Sequence, residues 1–336
     1  MRLRISLVAL CLVAALGAPA FAWGSAGHRL VSQVAMENLP ASVPAFVRAP
    51  AAIAEIMALG PEADRLKGSG KTWDDDYDTG HFVDLGDDGK VGGVVDMSAL
   101  PADREAYDTV LRAANTDQYK MGYLPYELID GYQQVVTDFA YWRADVVGEK
   151  SAATDLDKAY FARERVLREI LTVRDIGYWS HFVGDASQPL HVSVHYNGWG
   201  DYPNPKNYSN SHTIHSRFES GFVRDNATDA LVTAHLKPYA ASADAIELRV
   251  GRYLRASAAA VPTVYDLEAA GGIDGRSPAA VGFMLDRLAA GAAMLRDLTT
   301  DAYAASGARK ISYPAISIQD IEAGKVILTR SMFGSD

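Results

Sequence analysis

Histidines and carboxylates fall in pairs along this chain, at spacings that suit metal binding. In His181-Phe-Val-Gly-Asp185 an imidazole and a carboxylate stand at i and i+4, so a helix would project both from one face. Pro189 must end that helix, and His191 follows in the turn beyond it. His215-Ser-Arg-Phe-Glu219 repeats the spacing, while Asp64 and His81 lie upstream in Ala63-Asp64-Arg65 and His81-Phe82-Val83-Asp84. One such pair is often no more than a salt link on a helix. Two pairs together with His191 supply neutral imidazole and carboxylate, the donors found in catalytic zinc sites. With His28, five of the eight histidines enter this scheme, which leaves His195, His212 and His235 for structure, solvent or substrate.

The N-terminal segment supplies a further donor. Arg2 and Arg4, the apolar run from Ile5 to Leu16 and the small-x-small triplet Ala20-Phe21-Ala22 read as a secretory signal over residues 1–22. Cleavage between Ala22 and Trp23 would send the protein to the periplasm or the medium and start the mature chain at Trp23-Gly24-Ser25-Ala26-Gly27-His28. An α-amino group ionises near pH ~7.7, so a metal can displace its proton close to neutrality. The amine and carbonyl of Trp23 can then chelate together, with His28 as a nearby third donor. The only cysteine, Cys11, leaves with the signal, so the mature chain can form no internal disulfide and bound metal becomes a substitute staple. No other apolar stretch is read as approaching the ~20 residues of a membrane span.

The elements that must carry these donors read mostly as helix. Over Asp155 to Gly184 the apolar positions Tyr160, Val166, Leu167, Ile170, Leu171, Val173, Ile176 and Trp179 keep close to a 3.6-residue period. Tyr126 to Val147, Val281 to Tyr303 and the Ala-rich Ala240 to Ala260 behave in the same way. Glycine and proline clusters mark breaks at Lys67–Lys71, Gly86–Gly93, Gln188–Pro205 and Gly271–Pro278. A short hairpin or loop is expected within Asp84 to Asp96, and an extended tail after Ser306. No repeat, linker or shift in composition divides the chain. The expectation is an all-α fold: one compact helical domain over 23–305, with an extension over 306–336 packed on its body.

Composition narrows the functions. Of 336 residues 49% are hydrophobic and 22% charged, which excludes a disordered chain, a collagen-like repeat and a coiled coil. A net charge of −10 argues against a broad basic surface for duplex DNA. It does not exclude nucleic acid as substrate, because bound cations add local positive charge that a residue count omits.

In order and spacing, Trp23, His28, Ala63-Asp64, His81, the block His181 to His191 and His215 with Glu219 resemble the S1/P1 nuclease family and the related bacterial zinc-dependent phospholipases C. Both are mainly helical trinuclear zinc phosphodiesterases. The resemblance implies that Asp64, His81, His181 and Asp185 hold one Zn²⁺, and that His191, His215 and Glu219 hold a second. The amine and carbonyl of Trp23, His28 and the other oxygen of Asp185 would hold a third. Asp185 would thus bridge two ions. Asp64 has a second implied role as a base, and Lys67 stands where the nucleases usually carry a phosphate-contacting arginine. Phe82 and Asp84 match residues that stack on a base and hydrogen-bond to it. Glu219 departs from the nuclease pattern, which favours aspartate, and agrees with the phospholipases. The expected activity is in-line attack by a zinc-activated hydroxide on single-stranded DNA or RNA, or on 3′-nucleotides, leaving 5′-phosphates. A phospholipase C acting on phosphatidylcholine-like headgroups is the alternative. The protein is expected to act as a monomer without a stable membrane span.

Overall fold

A computed structural model describes residues 23–67 and 77–334 of the chain. The signal segment expected over residues 1–22 lies outside the described residues. Of the described residues 63% are helix and 3% strand, so the all-α expectation holds. Its principal helices are α1 (Gly24–Glu37), α2 (Pro50–Leu59), α3 (Leu124–Ser151), α4 (Asp155–Asp185), α5 (Ile214–Glu219), α6 (Ile246–Ala258), α7 (Val261–Ala269) and α8 (Pro278–Ser306). The four long periodic stretches of the sequence correspond to α3, α4, α6 and α8, except that α6 begins only at Ile246, six residues into the Ala240–Ala260 stretch. Within the expected Asp84–Asp96 hairpin, β1 (Lys90–Val91) pairs antiparallel with β2 (Val95–Asp96).

The scaffold is built on the long pair α3 and α4, joined by only three residues, Ala152 to Thr154. Thr154 caps α4, its hydroxyl accepting from the Asp157 amide. Glycine sets how closely the two helices approach. A side chain at Gly131 of α3 would collide with Trp179 of α4, its Cβ falling 2.0 Å from the indole Cδ1. At Gly148 the corresponding approach to the Phe161 ring is 2.3 Å. Each glycine costs helix propensity but admits an aromatic ring that a larger residue would exclude.

Against this pair pack α1, with Val31, Val34 and Ala35 buried, and α8, with Leu288, Ala292, Leu295 and Leu298 buried. By length and apolar composition α8 could cross a membrane, contrary to the sequence expectation that nothing beyond the signal would. Its buried face instead lies in the core, against α1, α3 and α4. The tail is not extended throughout. After Ser306 it forms a two-residue ladder, β3 (Lys310–Ile311) with β4 (Ile316–Ser317), then the short helix Ile318–Glu322. Ile311, Ile318, Ile321 and Leu328 pack on Ala140, Ala144 and Phe161, at the end of the α3–α4 pair away from His181 and Asp185.

Gly131→Ala should therefore destabilise the protein by about 1–3 kcal/mol, the usual cost of overpacking, although alanine is the better helix former. Urea unfolding would show a lowered midpoint; an unchanged or raised one would mean that α4 can step aside.

Candidate metal centre

Six separate pieces of chain bring the expected donors together. His28 comes from the first turns of α1, Asp64 from the 3-10 turn Ala63–Leu66 and His81 from the turn Thr79–His81. His181 and Asp185 share the last turn of α4, His191 ends the turn Pro189–His191, and His215 and Glu219 stand one helical turn apart on α5. All eight are buried, with His28, His181, Asp185 and Glu219 fully so.

Three groups form. In each the donor atoms lie within 4.8 Å of one another: His28, His181 and Asp185; Asp64, His81 and His181; and His191, His215 and Glu219. The two oxygens of Asp185 face different partners. Oδ1 lies 3.4 Å from His28 Nε2. Oδ2 lies 3.1 Å from His81 Nδ1 and 3.3 Å from His181 Nε2. His181 therefore sits geometrically in two groups, and its ring stacks on His28 at 3.9 Å.

Backbone carbonyls set the histidine tautomers. His181 Nδ1 donates to Gly60 O at 2.8 Å, His191 Nδ1 to His81 O at 2.7 Å, and His215 Nδ1 to Tyr196 O at 3.1 Å. Each neutral ring thus turns an unprotonated Nε2 inward, the arrangement by which second ring nitrogens orient metal-ligating histidines. As a result His191 Nε2 and His215 Nε2 face each other at 3.0 Å, lone pair against lone pair when both rings are neutral. Glu219 Oε2 lies 2.8 Å from His215 Nε2 and accepts from the Gln188 amide at 3.3 Å.

Burial works against protonating the rings. It lowers the pKa of His28 to about 3, helped by His181, and that of His181 to about 4. His81 is held well below its usual range, first by burial and then by Lys67. Burial likewise raises Asp185 to about 7. For Glu219 burial pushes upward but His215 and His191 prevail, holding it below the normal range. Asp64 is lowered in the same way, His181 and Lys67 outweighing its burial.

Several buried donors have no hydrogen-bond partner, among them His28 Nδ1, Asp64 Oδ2 and Glu219 Oε1. A buried polar atom left unpaired costs about 1–3 kcal/mol, and an accumulation of acceptors in one dry pocket costs more than any single one. Divalent cations remove that cost, and imidazole nitrogens with carboxylate oxygens are a donor set that zinc accepts. The residues fit the ions.

The last carbonyls of α4 are tied down from outside. Tyr253 Oη donates to Val183 O at 2.9 Å, Ser257 Oγ to Ala186 O at 2.6 Å, and Arg287 Nε to Ser187 O at 2.8 Å. The Trp23 indole donates toward Gly184 O at 3.0 Å and Ser187 Oγ at 2.8 Å. Trp23 is fully buried against Phe218, so its backbone is fixed at the start of α1, five residues before His28. Its carbonyl accepts from the Gly27 amide at 3.2 Å. The sequence singled out Trp23 for its backbone atoms; the part played by its side chain shows only in the fold.

A cleft of about 470 Å³ opens beside these groups, lined by Lys67, His81, Phe82, Asp84, Leu190, His191 and His215. Lys67 Nζ reaches Asp64 Oδ1 at 2.9 Å. Burial raises the Asp84 carboxyl to about 7. Asp78, Lys120 and Tyr196 complete the lining. The sequence reading passed over these three, because none stands in a spacing that signals chemistry.

Compared with known proteins, residues 23–259 match the family model described as S1/P1 Nuclease. No curated protein matches the chain.

Stripping the protein with a chelator should lower its melting temperature, and adding Zn²⁺ should restore it. At 100-fold excess over the dissociation constant the gain is about 2.7 kcal/mol per independent ion. Calorimetry that finds the same melting temperature with chelator and with Zn²⁺ would show that the unpaired donors are satisfied without metal.

Proposed function

The chain belongs to the S1/P1 nuclease family of phosphodiester hydrolases, and on that premise we propose a zinc-dependent nuclease and 3′-nucleotidase that cleaves single-stranded DNA and RNA to 5′-phosphates. The observation that carries this reading is the convergence of three donor groups, two of which reach, through His81, His191 and His215, a cleft that also presents Phe82, Asp84 and Lys67.

In this reading Asp64, His81, His181 and Asp185 hold one Zn²⁺, His191, His215 and Glu219 a second, and His28 with Asp185 and the Trp23 backbone a third. Bound zinc supplies positive charge for the phosphodiester and lowers the pKa of water toward neutrality. The protein does the rest. Lys67, held by Asp64 at the cleft wall, draws a phosphate oxygen toward the donor groups. As a lysine it offers charge without the forked geometry of an arginine. If Asp64 serves as a base instead of a full ligand, its Oδ2, which has no hydrogen-bond partner, is placed to take a proton from the attacking water. The half-buried Phe82 gives one base a stacking face, which only a single strand leaves open. Asp84, three residues beyond the metal-facing His81, accepts from the edge of that base.

In the uncleaved chain the nitrogen of Trp23 is an amide and a poor ligand. Export with cleavage at Ala22/Trp23 would free it as an amine, which ties maturation to completion of the third site. We take the enzyme to act as a monomer in the periplasm or medium. Glu219 favours a second reading, a phospholipase C acting on phosphatidylcholine-like lipids, since the phospholipases place glutamate there.

Turnover of single-stranded DNA, RNA, 3′-nucleotides and phosphatidylcholine by the mature protein, with and without chelator, tests the choice. Lipid turnover without nucleic-acid cleavage would reverse it. Asp185→Ala should remove more metal than any other single ligand change and lower kcat by at least ~10³-fold, at the upper end of what one electrostatic group contributes. Metal analysis and single-turnover kinetics would check both. If Asp84 binds the base as a carboxylate, KM should rise as the pH falls through about 7, where it takes up a proton. Asp84→Asn should abolish that rise, and a pH profile of KM that the substitution leaves unchanged would remove Asp84 from the binding site.

A further inference from the structure

Beyond the metal cleft lies a second pocket, of about 290 Å³, that the reaction does not use. Asp87, Ser193, His195, Trp199 and Arg255 supply its polar and aromatic lining. The two cavities share their walls. One segment carries Phe82 and Asp84 in the cleft and runs on to Leu85 and Asp87 in the pocket; another carries His191 and Tyr196 in the cleft, with Ser193, His195 and Trp199 in the pocket. The two segments are bonded to each other, Val83 N to His191 O at 2.9 Å and Val194 N to Leu85 O at 3.2 Å.

The interior of the pocket is fixed. His195 is buried, with Nδ1 bonded to Trp199 O at 2.7 Å and its ring stacked on the indole at 3.8 Å. Its Nε2 holds Asp87 Oδ1 at 3.0 Å. Two exposed aromatic rings belong to the same stretch of chain, outside the lining of this pocket. Tyr196, at the cleft, is 54% exposed and Tyr202 is 44% exposed. The Tyr202 ring meets His195 edge-on at 5.0 Å, and its hydroxyl lies near enough to both Asp84 and Asp87 for their charges to act on it. Tyr202 lines neither cavity but adjoins the second one through His195. Arg255 on α6 is exposed and makes no ion pair with any described residue. The nearest acids do not neutralise it by contact: Asp87 is turned to His195, and Asp96 acts on it only through space.

Two large exposed apolar rings followed by an unpaired cation, in a protein of net charge −10, have the makings of a site for single-stranded nucleic acid. We infer that the substrate strand continues out of the metal cleft across Tyr196 and Tyr202, and that the second pocket receives a nucleotide further along the strand than the two that flank the cleaved bond, its base on Tyr202 and its phosphate on Arg255. This rests on the nuclease reading and deepens it, since it makes the preferred substrate a strand and not a mononucleotide. A phosphatidylcholine headgroup could set its ammonium on a tyrosine ring, but it carries one phosphate and so could not occupy the metal groups and Arg255 at once.

The test compares an oligothymidylate of about 12 nucleotides, long enough to fill a groove of several nucleotides, with a dithymidine monophosphate too short to reach the second pocket. The mature, zinc-loaded enzyme is used throughout. Tyr202→Ala and Arg255→Ala should each raise KM for the oligonucleotide at least ~5-fold, the low end for loss of one stacked base, and leave dinucleotide turnover unchanged. Arg255→Ala should also reduce the slope of log KM against log salt by about 0.7, the value for one phosphate contact on a single strand. An unchanged KM for the oligonucleotide, or equal losses on both substrates, would overturn the inference while leaving the nuclease reading intact. Turnover of phosphatidylcholine but of neither nucleotide by the unsubstituted enzyme would overturn that reading and the inference together.

Discussion

The structure turns on a repulsion. Five imidazoles and three carboxylates are forced into a dry space where several of their lone pairs have no hydrogen to accept, and where His191 and His215 present Nε2 to Nε2 at 3.0 Å. Burial keeps His28, His81 and His181 from relieving the crowding by taking up protons. What remains is a negative, acceptor-rich cage that divalent cations satisfy. The surrounding packing resists its expansion in the meantime.

That resistance comes chiefly from the end of α4. A helix leaves its last carbonyls without intrahelical partners; here Tyr253 and the Trp23 indole reach those of Val183 and Gly184, and Ser257 and Arg287 hold those of Ala186 and Ser187 just beyond the helix. The guanidinium of Arg287 also sits favourably at the negative end of the helix dipole. The same contacts fix the turn that presents His191, so α1, α6 and α8 all bear on the placement of one short ligand-bearing segment. Glycine at position 131, beside Trp179 near the site, and at position 148, beside Phe161 at the other end of the α3–α4 pair, lets aromatic rings press into α3.

An acidic protein that acts on an anionic substrate must concentrate positive charge locally. Lys67 and Lys120 line the cleft together with Phe82 and Tyr196, and Arg255 lines the second pocket. Glu219 in place of the shorter aspartate is accommodated by fixing one oxygen between Gln188 and His215. Metal geometry alone therefore does not separate a strand from a lipid headgroup. The rings and cations beyond it bear on that choice.

The sequence by itself determined the helices and the chemistry of the donors. Periodicity over Asp155 to Gly184 placed α4, and the i, i+4 spacing placed His181 with Asp185 and His215 with Glu219, because these are local properties that the chain carries in any context. Order and spacing were also enough to suggest the family. Tertiary structure alone decided how the groups combine. That His181 stands in two of them, that carbonyls of Gly60, His81 and Tyr196 select its tautomer and those of His191 and His215, and that Trp23 acts through its indole all depend on segments up to 164 residues apart. The same holds for Lys120, Tyr196 and the Asp87–His195 pocket, and for the tail, whose apolar residues have no period because each is matched to a site on α3 or α4 and not to its own neighbours. Spacing encodes what one element presents; only packing encodes what it is presented to.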